Sequence, residues 1–124
     1  MQILLVGATN NSNKFWNKIL KNLISKGYIV FPINPKEEKI EWINCFKNIS
    51  DIKNNFDLVI FVVKPEITLK LLDKNRKLLK NKKIWFQPWA SDEKVKKYLE
   101  QNNFKDHIVD SCVMIENINF KNKS

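Results

Sequence analysis

Glycine is nearly missing from this chain: Gly7 and Gly27 are the only two among 124 residues, against a usual share of roughly 7%. Two glycines so far apart make neither GxGxxG nor GxxxxGK(S/T), so no standard dinucleotide fingerprint or P-loop is encoded. Histidine occurs once, and the two cysteines, Cys45 and Cys112, stand apart without a CxxC. A metal centre built from Cys and His would be short of ligands. No run approaches the roughly 18 apolar residues of a membrane span. The opening MQILLVG enters strand material at once, without the basic and long apolar regions of a leader. An RNP-like aromatic pair, a zinc-finger spacing and a basic helix-turn-helix face are absent as well. The expectation is a reduced, soluble, cytoplasmic protein with no metal.

What is present suits a folded domain. Hydrophobic residues make up 44% of the chain, and its length fits one domain with a modest core. The formal net charge is +9, from 22 basic and 13 acidic residues. Such a surface attracts anions, whether phosphorylated cofactors, nucleic acid or acidic headgroups. Much of the charge lies in runs such as KNKK and DEKVKK, which read as solvated faces.

Periodicity organises the chain. QILLV (2–6) is a short continuous apolar run, as in a parallel strand covered on both faces. Phe15, Ile19, Leu20, Leu23 and Ile24 then recur at helical spacing until Gly27. YIVFPI (28–33) predicts a second strand, Ile43 to Phe46 a short one, and FDLVIFVV (56–63) the clearest of all. Residues 65–80 predict a helix with Pro65 in its first turn, and KIWFQ (83–87) another strand. A helix over 91–104 is expected with Ser91 as its cap, followed by a strand over 107–115. The sum is an α/β, three-layer Rossmann-like domain with a mainly parallel sheet of about five strands and right-handed crossovers. It is expected to occupy 1–116, with 117–124 a frayed tail.

In such a sheet, ligands bind beyond the carboxyl ends of the strands, so those loops carry the functional reading. VGATNNSNKFW (6–16) runs from strand to helix through Gly7, Ala8 and Thr9, small enough for backbone to approach a ligand. A helix starting near Asn13 or Lys14 would aim free N–H groups at the same space, where a phosphate is favoured, and Lys14 would add charge. An ordinary strand-to-helix turn fits the bare pattern too. At the end of the second strand, where NAD-binding units hold an acid, stand Pro32, Asn34, Pro35 and Lys36. Lys36 suits a nucleotide with an extra phosphate near its ribose, and Asn34 a base or ribose contact; a stiff turn with a solvated lysine is the alternative.

VGATNNSNKFWNKILKNLISKGYIVFPINPK, DLVIFVVKPE, IWFQPW and DSCVMIE together resemble the small stand-alone CoA-binding proteins, relatives of the CoA-binding domain of succinyl-CoA synthetase. The resemblance runs from residue 3 to about 116 and implies a Rossmann-like fold that binds coenzyme A or an acyl-CoA. It implies that Gly7, Ala8 and Thr9 lie beside the pyrophosphate, that Lys14 matches a lysine of the family, and that Asn34, Pro35 and Lys36 lie around the adenosine end. Val63, Lys64 and Pro65 fall where the family often has Arg-Arg-Pro, so one basic residue is missing. Gln87 and Cys112 match the glutamine after the fifth strand and the cysteine near the family's ending. No catalytic group is assigned: His107 does not correspond to the synthetase phosphohistidine, and no base for nucleophilic catalysis is evident. Two other readings stay open, a CoA-linked thiol redox role for Cys112 and a basic nucleic-acid-associated or structural protein supported by charge alone.

Three departures share one residue type. Trp16, Trp42 and Trp89 stand where the family pattern has glycine, whereas Trp85 belongs to that pattern. UGA is read as glycine in some genetic codes and as tryptophan in others, so recoded glycines would explain both these residues and the glycine shortage. Genuine divergence with a remodelled pocket is the competing explanation. UGG codons at all three positions would exclude recoding.

Overall fold

A computed structural model describes residues 1–7, 15–36, 38–40, 43–53, 55–104 and 106–108, with side chains for all of these except Phe15, Trp16 and Ile108. In chain order the elements are β1 (Gln2–Val6), α1 (Phe15–Ser25), β2 (Ile29–Ile33), β3 (Lys39–Ile40) and β4 (Ile43–Asn44). There follow β5 (Leu58–Phe61), α2 (Pro65–Lys74), α3 (Arg76–Leu79), β6 (Lys83–Phe86), α4 (Glu93–Gln101) and β7 (His107–Ile108).

The apolar runs become strands buried on both sides. Ile3 and Leu5 of β1, with Leu58 and Ile60 of β5, face Ile19, Leu20 and Leu23 of α1. Leu4 and Val6 alternate to the other face, with Val59, Phe61, Ile84 and Phe86, against Leu72, Leu79, Val95 and Leu99 from α2, α3 and α4. One helix on one face and three on the other give the expected three layers. The main sheet has the order β2-β1-β5-β6-β7, and every pair in it is parallel. Leu5 lies between Pro32 and Ile60 across the sheet. From β1 the chain moves outward to β2, and from β5 it moves the opposite way to β6, so the order reverses between β1 and β5. No helix among the described residues is long and apolar enough to cross a membrane.

Three expectations need correction. The helix expected over 65–80 is two helices, because the half-helical backbone of Asn75 (φ −111°, ψ 24°) interrupts it. Its side-chain amide donates to the Leu71 carbonyl at 3.0 Å, competing with the helical bond pattern. The cap of α4 is Asp92, not Ser91: the Asp92 carboxylate accepts from Val95 N–H at 2.9 Å. The short strand near Ile43 is one arm of an antiparallel hairpin with β3, and Phe46 instead forms a bridge to Ile33. Within the described residues the last strand is His107–Ile108; its expected continuation to 115 and the tail 117–124 lie outside them.

Candidate functional site at the carboxyl edge of the sheet

Because the main sheet is parallel, the carboxyl ends of β1, β2, β5 and β6 share one edge. Gly7, Asn34 to Lys36 and Gln87 follow the ends of β1, β2 and β6 directly, and Val63 to Pro65 begin one residue beyond the end of β5. Ala8, Thr9, Asn13, Lys14 and Cys112 lie outside the described residues, as does Trp42. Trp16 is in the first turn of α1.

Gly7 sits at the reversal point with φ +108°, a conformation that costs a side-chain-bearing residue. A Cβ there would meet Val63 Cγ1 at 2.8 Å and the Val62 carbonyl oxygen at 3.4 Å. The turn is fastened on both sides. Gly7 N–H donates to the Ile33 carbonyl at 2.9 Å, and Val62 N–H donates to the Val6 carbonyl at 3.0 Å. Backbone thus packs on backbone where β1 and β5 diverge.

The turn after β2 is held from within. Asn34 Oδ1 accepts from Lys36 N–H at 2.8 Å, an Asx turn that sets the path of Pro35 and leaves Lys36 exposed. Asn34 N–H donates to the Phe46 carbonyl at 2.9 Å, and the Cys45 thiol points at the Asn34 carbonyl at 3.8 Å. The Asn34 side-chain oxygen therefore shapes the turn that presents Lys36.

After β5, Lys64 caps α2 through its carbonyl, which accepts from Ile67 N–H at 3.0 Å and Thr68 N–H at 2.9 Å. The buried Thr68 hydroxyl donates to the Val63 carbonyl at 3.5 Å. The Lys64 side chain is exposed at the same edge. After β6, Gln87 is completely buried; its N–H donates to the Phe61 carbonyl at 3.1 Å, and its carbonyl accepts from Ala90 N–H at 2.8 Å to close a 3₁₀ turn, Pro88–Ala90. That turn sends Trp89 back over β5, where its Nε1–H donates to the Val62 carbonyl at 3.4 Å. The sequence marks Trp89 only as an unexpected residue type; its link to Val62 is a long-range contact without a local signal. Neither Trp16 nor Trp89 has positive φ, so a glycine requirement at either place would rest on space, not on backbone conformation.

The described edge offers lysine charge, backbone and small side chains. Among the described residues no three His, Cys, Asp or Glu come together as a metal site. A polar hollow of about 490 Å³, lined by Lys80, Asn81, Asn103 and Asp106, lies at the opposite edge, away from the strand reversal.

Residues 1–118 match the family model described as CoA binding domain. In sequence, the chain is similar to the ADP-forming acetate–CoA ligase of Methanocaldococcus jannaschii, 32% identical over 71 residues. That match covers 57% of this chain and 10% of the ligase. The alpha subunit of ADP-forming acetate–CoA ligase II of Pyrococcus furiosus is 31% identical over 71 residues, covering 56% of this chain and 16% of the subunit. The chain therefore spans a small part of the length of these relatives. Among solved structures, a conserved hypothetical protein from Pyrococcus furiosus superposes with a TM-score of 0.86 at 35% identity, covering 94% of this chain and 98% of that one. A hypothetical protein from Pyrococcus horikoshii OT3 gives a TM-score of 0.80 at 29% identity, with coverages of 91% and 78%.

Proposed function

Because the chain belongs to the CoA-binding domain family, we propose that it holds coenzyme A, free or as an acyl-CoA, across the carboxyl edge of its sheet. The pyrophosphate lies at the Gly7 turn and the start of α1, where backbone N–H groups and the helix dipole favour an anion. The adenosine end lies over β2, with the ribose-side phosphate near Lys36, and Lys64 adds charge from the β5 loop. Ala8, Thr9, Asn13, Lys14 and Cys112 join the proposal through their places in the family motifs, and Gln87 by closing the floor beside β6. The observation that carries this reading is the position of Gly7: a positive-φ glycine, packed on Val62 and Val63, at the point where strand order reverses. The module carries its ligand and assigns no residue to bond making. A cytoplasmic setting is part of the same proposal.

Calorimetric titration with coenzyme A and with dephospho-CoA tests it. Coenzyme A is expected to bind at least about tenfold more tightly, which is about 1.4 kcal/mol, and Lys36→Ala should remove most of that difference. Equal affinities in the unmodified protein would withdraw the role of Lys36. Binding of neither compound would withdraw the reading itself.

A further inference from the structure

The Val62 carbonyl has two neighbours at this edge. One is the Gly7 turn, whose missing Cβ would lie 3.4 Å from the oxygen, and the other is the indole N–H of Trp89, also at 3.4 Å. Trp89 is 43% exposed, whereas Trp85 on the preceding strand is 3% exposed. A large apolar ring is thus tethered beside the strand reversal with much of its surface turned to solvent.

The strand order says which part of a ligand would meet that ring. In a doubly wound sheet, pyrophosphate sits at the first strand-to-helix turn and ribose at the end of the second strand. With the order β2-β1-β5-β6, adenosine over β2 and pyrophosphate over β1 send the rest of the molecule over β5 and β6. For coenzyme A that remainder is the pantetheine arm with its thiol. Trp89 follows β6 and is hydrogen-bonded to Val62, just past the end of β5, so it borders this compartment.

We propose that Trp89 is the wall of the pantetheine compartment and limits the size of the acyl group carried on the thiol. The inference rests on the coenzyme A reading and on tryptophan being the residue encoded at position 89, which the codon test decides. The indole contributes apolar area to the arm, and its bond to Val62 keeps it from swinging aside without losing a partner. A short acyl group fits beside it, and a long chain requires the space the ring occupies.

Calorimetry on the full chain with coenzyme A, acetyl-CoA and octanoyl-CoA, for the unmodified protein, Trp89→Ala and Trp89→Phe, tests this. The unmodified protein is expected to bind the first two alike and octanoyl-CoA at least about tenfold more weakly. Trp89→Ala should abolish that discrimination, and Trp89→Phe, which retains a ring but loses the bond to Val62, should keep part of it. An unmodified protein that binds octanoyl-CoA as tightly as coenzyme A would overturn the inference without any variant. So would discrimination that persists unchanged in Trp89→Ala; if that variant does not fold, a Trp89→Phe profile with no trace of discrimination against octanoyl-CoA counts against a size limit set by a ring. In each of these cases coenzyme A binding itself stands. Failure of the unmodified protein to bind coenzyme A at all would instead remove the reading on which the inference rests, and the inference with it.

Discussion

A methyl group at position 7 would meet Val63 Cγ1 at 2.8 Å while its residue was held at φ +108°. The other glycine separates these two effects, since Gly27 has φ +86° but nothing within 4 Å of where its Cβ would be. Gly27→Ala should therefore cost only the left-handed backbone strain, about 1 kcal/mol. Gly7→Ala adds a contact that Val63 must yield to, and about 2–3 kcal/mol is expected. At roughly 4 °C per kcal/mol for a domain of this size, calorimetric melting should rank Gly7→Ala clearly below Gly27→Ala. Equal melting temperatures for the two variants would mean that the Gly7 turn relaxes freely, which would weaken its proposed role as a rigid anion cradle.

Helix α4 owes its start to one carboxylate and its lateral attachment to one phenol. Asp92→Ala should cost about 1 kcal/mol. Ser91→Ala should be neutral or slightly stabilising, since the buried Ser91 hydroxyl has no hydrogen-bond partner among the described residues; chemical denaturation of the two variants distinguishes them. Tyr98 donates its hydroxyl to Asp73 at 2.9 Å, joining α4 to α2. Burial raises the Tyr98 phenol above its ordinary value of 10.0, the hydrogen bond and charge of Asp73 raise it further, and Arg76 opposes them. The folded state thus favours the neutral phenol. Its contribution is complete below the unfolded pKa and is lost as pH climbs through the folded one, so Tyr98→Phe should flatten the stability profile above about pH 10. An unchanged alkaline profile in Tyr98→Phe would assign that loss to other groups. The elements themselves were legible where periodicity is strong: the runs at 2–6, 28–33, 56–63 and 83–87 all contain strands of the main sheet. Less legible were the break at Asn75, the β3–β4 hairpin and the choice of Asp92 over Ser91. The break and the cap each depend on one side chain finding a backbone group, and the hairpin on backbone pairing between strands of two residues, none of which composition reveals. Of the candidate site, the strand-end loops were readable from pattern, whereas the contacts of Gly7 and Trp89 with β5 arise only when distant strands pair.

At the scale of the whole molecule, charge and ligand act together. With a net charge of +9, affinity for a polyanionic ligand should fall as salt shortens the reach of the lysines, whose screening length is about 10 Å at 0.1 M. Coenzyme A at about 100 times its Kd should add about 2.7 kcal/mol of stability, or about 10 °C in Tm at the same conversion. A thermal shift series in coenzyme A at two salt concentrations checks both, and a shift independent of salt would deny the lysines their part. The fastening of β2 has a consequence of another kind. Pro32 has no N–H, its carbonyl accepts from Phe46 N–H at 2.8 Å, and Asn34 N–H is taken by the Phe46 carbonyl. The outer margin of β2 is thereby occupied by the chain itself over its carboxyl half, at the level where the ligand is proposed to bind. A strand from another copy has no purchase there, so the same few bonds that shape the Asn34 turn also guard the binding edge against sheet extension and aggregation.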